Sequence, residues 1–143
     1  MFGGYFLDMG FLRLKGRSLV KGEVEGEALV TSQPISFFGG VNPKTGFVVE
    51  KNHELYGEKV TGKILVFPYG KGSSVGSYVL YAMARYGTAP LAIINLKTDP
   101  IIAVGCALAN IPLIDRLDKN PLETIKTGDK VKVFLDGWVE VEG

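Results

Sequence analysis

Hydrophobic and polar residues alternate along the N-terminal part of the chain, in the pattern of strands that bury one face. The alternation predicts a strand over residues 12–17 (LRLKGR) and further β-structure over 19–31. Gly22 and Gly26 interrupt the second segment and predict bulges or a bend, because glycine inside a strand pattern is typical of such irregularities. The chain is therefore predicted to begin with β-structure.

The same alternation returns near the C-terminus, over residues 129–135 and 138–141. Asp136 and Gly137 stand between these two segments, and an Asp-Gly pair favours a tight hairpin turn. We therefore expect the last two strands to form a β-hairpin.

The middle of the chain has a different pattern, with nearly continuous apolar segments. Residues 63–67 (KILVF) and 89–96 (APLAIINL) predict strands that are buried on both faces. Shorter strands are predicted at 47–49 and 112–114.

A helix is predicted over residues 74–86, between the two buried strands. Its apolar residues recur at helical spacing and predict a single buried face: Val75, Val79, Ala82, Met83 and Tyr86. Ser73 or Ser74 is suited to cap its start, and Gly87 to end it. The Ala-rich segment 101–109 favours a short second helix. The chain is therefore predicted to be an α+β domain with a mixed, barrel-like sheet and one or two helices.

Composition and charge narrow the class of protein. The chain has 143 residues, of which 46% are hydrophobic, which suffices for one domain with a buried core. Sixteen Lys+Arg against 15 Asp+Glu leave no basic excess for binding nucleic acid through its phosphates. The sequence lacks an apolar run of about 18 residues and the features of a signal peptide, so a cytoplasmic protein without a membrane partner is expected. One cysteine excludes a disulfide framework and any cluster held by several cysteines of this chain.

The segment 68–76 (PYGKGSSVG) is the strongest candidate for chemistry, because it joins a buried strand to a helix. Free N–H groups at a helix start favour negative charge, and Gly70 and Gly72 allow close approach of the backbone. Three interpretations stay open: a turn capped by serine, a phosphate or nucleotide cradle over Gly70–Gly76, and a catalytic serine. The P-loop motif is absent, and no acidic residue ends the next strand as a dinucleotide-binding fold requires.

Other reactive residues are weaker candidates. His53 lies in a polar segment that predicts a solvated loop, so a Ser-His-Asp triad is not expected. Cys106 stands in an apolar run and is predicted to be a core residue rather than a nucleophile. Lys71 lies among the glycines, where it can meet a carboxylate or a phosphate, although exposed loop lysines are common.

Three motifs in order carry a resemblance to a known family: GEALVTSQPISFFGGVNPKTG, GKILVFPYGKGSSVGSYVLY and LANIPLID. From about Leu12 onward the chain resembles the aconitase X swivel domain, and within that family the small subunits of archaeal phosphomevalonate dehydratases. The resemblance implies that residues 12–143 form a single swivelling β/β/α domain, preceded by an N-terminal extension over residues 1–11.

The resemblance also implies a partner and a cofactor. Members of the family work beside a larger subunit, as a heterodimer or a higher assembly, and that subunit carries an iron–sulfur cluster expected to be 4Fe–4S. The single cysteine of this chain agrees with a cluster held by the partner. No metal ligand is therefore expected in this chain.

The resemblance assigns roles to residues of the glycine-rich segment. Ser73 matches the catalytic base, as proton acceptor, and Ser74 and Gly72 beside it are expected to bind substrate. The aconitase pattern has an arginine after its two serines, whereas Val75 stands here. Substrate anions are therefore expected to meet Lys71, backbone amides or the partner.

A second loop, 36–46 (SFFGGVNPKTG), is placed by the resemblance near the subunit junction. Gly39 and Gly40 are expected to let the backbone approach the substrate. The alternative is an ordinary turn that begins at Asn42-Pro43.

The implied reaction is the loss of water from (R)-5-phosphomevalonate, giving trans-anhydromevalonate 5-phosphate in an archaeal-type mevalonate pathway to isoprenoids. Two alternatives stay open: an aconitase X-type hydroxyproline dehydratase subunit, and a phosphate- or nucleotide-binding module that uses the Gly70–Gly76 loop. A serine acts as base only if its pKa is lowered, and a helix dipole supplies only about 0.3–2 kcal/mol. We therefore expect the chain to be inactive without its partner.

Overall fold

The computed structural model describes residues 11–143, which fold around eight strands and two longer helices. The strands are β1 (Phe11–Lys15), β2 (Arg17–Val20), β3 (Val24–Val30), β4 (Ile64–Val66), β5 (Ala92–Ile94), β6 (Leu113–Asp115), β7 (Lys130–Val133) and β8 (Trp138–Glu142). The helical segments are α1 (Phe37–Gly40), α2 (Gly76–Tyr86), α3 (Pro100–Ala109) and α4 (Pro121–Thr124). The predicted extension, residues 1–11, lies outside the described residues except for Phe11.

The eight strands form one sheet in the order β1-β8-β7-β3-β4-β5-β6-β2. Strands β3 to β6 run parallel, as expected when helices connect them, and the other neighbours pair antiparallel. β1 and β2 lie at the two ends of this order but are joined by Gly16 alone, so the sheet nearly closes. The predicted α+β class and barrel-like mixed sheet are confirmed.

Gly16 connects β1 to β2 at the place where the two ends of the sheet meet. Its N–H donates to the carbonyl of Gly137 at 2.9 Å. A Cβ at position 16 would lie 2.6 Å from Leu117 Cδ2 and 2.7 Å from the carbonyl oxygen of Asp115, so any side chain here would force a shift.

Alternate residues of the parallel strands face two apolar cores. Ile64 and Val66 of β4 pack inside the curved sheet against valines of β7 and β8. Leu65, between them, lies on the other face in a second cluster with Leu80 of α2 and Ile102 of α3. The strands are buried on both faces, which explains their continuous apolar sequences.

A bulge at Gly26 and a strand over residues 47–49 are not found. β3 runs through Gly26 without a bulge, because Gly26 pairs in register with Val131 and its missing side chain leaves room for Leu91, whose Cδ1 would lie 2.8 Å from a Cβ. Phe47 and Val48 form isolated bridges instead of a strand. The predicted interruption at Gly22 is confirmed, since β2 ends at Val20.

The predicted helices are confirmed, but the predicted buried face of α2 is only partly correct: Met83 is buried and Val79 packs partly buried against the core, whereas both ends of the face are exposed. Val75 and Tyr86 are 44% and 55% exposed, whereas Leu80 and Met83 are fully buried. Helix α2 has apolar residues on two faces, and its packing against α3 and the sheet buries Met83 of the predicted face together with Leu80, which the prediction left out. No helix within residues 11–143 has the length and apolar composition needed to cross a membrane.

Candidate active site in the glycine-rich loop

The glycine-rich segment 68–76 follows the carboxyl end of β4 and is held by backbone pairing with Ile35. The N–H of Lys71 donates to the carbonyl of Ile35 at 3.0 Å, and the N–H of Ile35 donates to the carbonyl of Tyr69 at 3.3 Å. The loop therefore starts as an extension of the sheet, which places the residues after it at the sheet edge where parallel strands end.

Gly72 brings the two predicted loops together. Its φ is +85°, a conformation that glycine adopts readily, and a Cβ there would lie 2.6 Å from Ser36 Oγ. An open depression of about 430 Å³ lies between the loops, and its lining includes four predicted substrate-binding residues: Gly39, Gly40, Lys71 and Gly72. Loops far apart in sequence thus form one surface.

Ser73 and Ser74 directly follow Gly72 in the chain and are exposed, but neither is among the residues that line this depression. The Oγ of Ser73 accepts the N–H of Val75 at 3.1 Å, and its carbonyl accepts the N–H of Gly76 at 2.9 Å. Val75 already has helical backbone angles, so Ser73 caps the turn that leads into α2. A backbone N–H donated to Oγ, with no acidic residue in the first turn of α2, favours a negative charge on that oxygen.

Lys71 is the cation of the depression, and it faces a carboxylate. Its Nζ lies 3.7 Å from Glu50 Oε2, and both side chains are partly exposed. The same carboxylate borders Gly40, where a Cβ would lie 3.2 Å from Glu50 Oε1. An anion that reaches Lys71 must therefore compete with Glu50.

Three comparisons with known proteins bear on this arrangement. The model of the aconitase X swivel domain family matches residues 13–141. The chain belongs to this family.

Relatives within this family are closely similar over their whole length. The chain is 53% identical to the phosphomevalonate dehydratase small subunit of Methanosarcina acetivorans over 91% of both chains. It is 51% identical to that of Pyrococcus furiosus, over 91% of this chain and 96% of the relative. The crystal structure of Thermococcus kodakaraensis aconitase X in its holo-form superposes with a TM-score of 0.86 at 45% identity, covering 92% of this chain and 98% of that chain. The resemblance to the family is confirmed.

A buried polar network supports the swivel domain at the ends of β5 and β6. Asp115 is fully buried and accepts two hydrogen bonds from Arg17, both of 3.0 Å, and one from the N–H of Thr98 at 2.9 Å. Burial by itself raises the pKa of Asp115, but the hydrogen bonds from Arg17 and Thr98 outweigh it and hold that pKa below its ordinary value. Thr98 also donates to the buried Asn95.

This network is absent from the sequence-based prediction. Asn95 and Asp115 each come at or just after the end of an apolar strand, and that position was the available signal.

His53 corrects the prediction of a solvated loop, because its side chain is only 6% exposed. Its Nδ1 accepts the N–H of Leu55 and its Nε2 lies 3.0 Å from the carbonyl of Pro34, so both ring nitrogens are used in holding the loop. Cys106 is buried in the core as predicted, and burial strongly raises the pKa of its thiol.

Within residues 11–143, no cluster of three or more His, Cys, Asp or Glu side chains could hold a metal ion. The donors of an iron–sulfur cluster are thiolates, and the buried Cys106 is the one cysteine of the chain. These residues do not fit a cluster.

Proposed function

We propose that this chain is the small subunit of a phosphomevalonate dehydratase, a hydro-lyase that removes water from (R)-5-phosphomevalonate to give trans-anhydromevalonate 5-phosphate. The observation that carries the proposal is the identity of 51–53% to small subunits of that name, over 91% of this chain. The reaction belongs to an archaeal-type mevalonate pathway to isoprenoids.

Ser73 is the proton acceptor in this proposal. The proton to be removed lies α to a carboxylate and is weakly acidic, so the base must be a strong one. The N–H of Val75 and the start of α2 stabilise a negative Oγ, but a helix dipole contributes only about 0.3–2 kcal/mol. Because Ser73 is exposed in this chain, a partner that excludes water must supply the rest.

The depression beside Ser73 is the substrate-binding surface in this proposal. Gly39, Gly40 and Gly72 allow the substrate to approach the backbone, and Ser74 offers a hydroxyl next to the base. Lys71 can bind a carboxylate or a phosphate if that group displaces Glu50. Because Glu50 opposes it, Lys71 by itself makes a weak anion site. We therefore expect the partner to supply further contacts to the anionic groups of the substrate.

The cofactor is assigned to the large subunit, because the chain has a single cysteine and the residues from 11 to 143 hold no group of side chains that fits a cluster. An iron–sulfur cluster there, expected to be 4Fe–4S, would supply a Lewis acid for the leaving hydroxyl.

The helices of this chain support the proposed partner. α3 has no charged residue, yet Val104 and Leu108 are 50% and 48% exposed, although a helix that is apolar all round is normally buried. The exposed face of α2 is mostly aromatic and begins beside Ser73, with Tyr78 being 66% exposed. Arg85 is the one charged residue of this helix, and its guanidinium lies over the ring of Tyr81. We define these residues as the outer helix face: Val75, Tyr78, Tyr81, Tyr86, Val104 and Leu108. Apolar patches of this kind mark protein interfaces.

The test of the function is co-expression of the chain with its large subunit, followed by purification of the complex. The complex is expected to dehydrate (R)-5-phosphomevalonate, whereas each subunit alone is inactive. Turnover of hydroxyproline isomers in its place would contradict the proposed substrate. Calorimetric binding of a nucleotide by the isolated chain would favour a binding module instead.

The test of the partner surface is Tyr78→Glu, assayed by size-exclusion chromatography of the two mixed subunits. A buried charge on the outer helix face is expected to weaken association. Leu135→Glu is the matched control, since Leu135 is 53% exposed on the hairpin between β7 and β8. Equal weakening by both variants, or by neither, would contradict this surface.

A further inference from the structure

Asp99 joins the glycine-rich loop to the start of α3 through the two oxygens of one carboxylate. Its Oδ1 accepts the N–H of Gly70 at 2.6 Å. Its Oδ2 accepts the N–H groups of Ile101 and Ile102, at 3.0 and 3.2 Å, as the N-cap of α3. Capping needs only one acceptor oxygen, so the second bond is an additional function of this side chain.

The contact with Gly70 is closely packed. A Cβ at Gly70 would lie 2.6 Å from Ile102 Cγ1 and 3.2 Å from Asp99 Oδ1, so the loop reaches the carboxylate only because position 70 has no side chain. Ile102 is itself fully buried between the helices and the sheet. The anchor of the loop is thus fixed to a rigid part of the domain.

Gly70 stands three residues before Ser73, and Ile35 holds the intervening backbone from the other side through the N–H of Lys71. The turn that carries Ser73 begins where these contacts end. A base must be held within a small distance of the proton that it removes, and a misplacement of 1 Å can reduce the rate about 100-fold. Loss of the hydrogen bond to the Gly70 N–H would therefore change the position of the Ser73 side chain.

We propose that Asp99 is a positioning residue for the dehydration, which sets the loop, and through it the Oγ of Ser73, by accepting the Gly70 N–H. The proposal rests on the proposed function, in which Ser73 is the base. A carboxylate is required because one oxygen faces the loop while the other faces the helix. Serine at this position would cap α3 but would not reach Gly70.

The test is Asp99→Ser in the complex with the large subunit. Serine is about as good an N-cap as aspartate, so the melting temperature is expected to change little. We expect kcat to fall about 10- to 100-fold, because the base is displaced. KM is expected to change less than kcat, because Ile35 still holds the backbone of Lys71 on the substrate-binding side of the loop. In the isolated chain, the Gly70 amide is expected to exchange faster with solvent, while the Ile101 and Ile102 amides keep their protection.

The matched control is Asn120→Ser, which makes a similar change at another cap. Asn120 Oδ1 accepts the N–H of Leu122 at the start of α4, and a proline follows it as Pro100 follows Asp99. This variant is expected to keep wild-type kcat. If Asp99→Ser does not fold, Asp99→Asn replaces it, since one amide oxygen cannot accept from both the loop and the helix.

The outcomes separate the two proposals. Wild-type kcat in Asp99→Ser despite a freed Gly70 amide would overturn the positioning role and leave the function intact. An equal loss of kcat in Asn120→Ser would also overturn it, because capping alone would then explain the effect. A wild-type complex without activity toward phosphomevalonate would overturn the proposed function, whatever the behaviour of the Gly70 amide.

Discussion

The parallel and antiparallel halves of the sheet differ in where they keep their polar groups. At the carboxyl ends of the parallel strands β5 and β6, Asn95 and Asp115 are fully buried and hydrogen-bonded. In the antiparallel half, charges lie at the surface, as in the ion pair of Lys130 and Glu25, whose side chains are 61% and 49% exposed. The two halves share one apolar interior.

The difference follows from the way the strands are connected. A parallel strand must be followed by a loop and a crossover, so the loops after β4, β5 and β6 gather at one edge and bring helix starts with them. Antiparallel strands need only short turns, and β7 and β8 are joined directly by the hairpin at Asp136-Gly137. The candidate site lies where topology collects backbone N–H groups and polar side chains.

Ser73→Ala tests the comparison most strongly, because it removes the proposed base from the parallel half. Activity of the complex is expected to fall at least about 100-fold. The melting temperature is expected to fall by only a few degrees, because losing the cap on the Val75 N–H costs about 1 kcal/mol. Ser18→Ala, in β2, is the control hydroxyl and should keep full activity. Substantial turnover by Ser73→Ala would reject Ser73 as the base.

Gly72→Ala and Gly128→Ala compare the same backbone change in the two halves. Both glycines have a positive φ, +85° and +97°, so each alanine costs about 1 kcal/mol or more in strain. A Cβ at Gly72 meets Ser36 Oγ, whereas at Gly128 it meets open space. Kinetics of the two complexes should show a loss of about 10-fold for Gly72→Ala only. Similar losses in both would mean that strain, and not the loop contact, reduces the rate.

Asp115→Ala and Glu25→Ala compare a buried carboxylate with an exposed one. Removing Asp115 leaves the Thr98 N–H without its acceptor, whereas the half-exposed Arg17 can be hydrated, and we expect the free energy of unfolding in urea to fall by about 1–3 kcal/mol. The exposed pair of Glu25 is expected to contribute at most about 1 kcal/mol. Equal losses in the free energy of unfolding for the two variants would contradict the proposed difference between the two halves of the sheet.

Acid should remove the contribution of ionised Asp115 to the free energy of unfolding. This change is the smallest of the expected effects. The lowered pKa of Asp115 stabilises the fold above the pKa of the unfolded chain, about 4, and this contribution is lost as the pH falls through the native pKa. Urea unfolding of wild type and Asp115→Asn should therefore differ most near pH 7 and converge below pH of about 4. A difference that grows in acid would contradict the sign of this shift.

The errors of sequence-based prediction in this chain have physical causes. The β-hairpin at the C-terminus and the buried strands were predicted because periodicity and turn chemistry act over a few residues. The buried face of α2 is predicted only in part: Met83 is buried as predicted, but Val75 and Tyr86 are as apolar as Leu80, and only the packing against α3 and the sheet decides that Leu80 is the buried one. His53 is predicted to be solvated because the residues around it are polar. In the structure its Nε2 contacts the carbonyl of Pro34, which lies 19 residues earlier in the chain, and local polarity does not reveal such a contact.

The amino-acid sequence by itself determined the α+β class, the family, and the loop in which Ser73 stands, because each depends on short motifs and their order. Only the tertiary structure decided that Gly39 and Gly40 lie beside Lys71 and Gly72, and that Asp99 reaches Gly70. These contacts join residues 29 or more positions apart, and such pairs are set by the order of strands in the sheet, which periodicity along the chain does not encode.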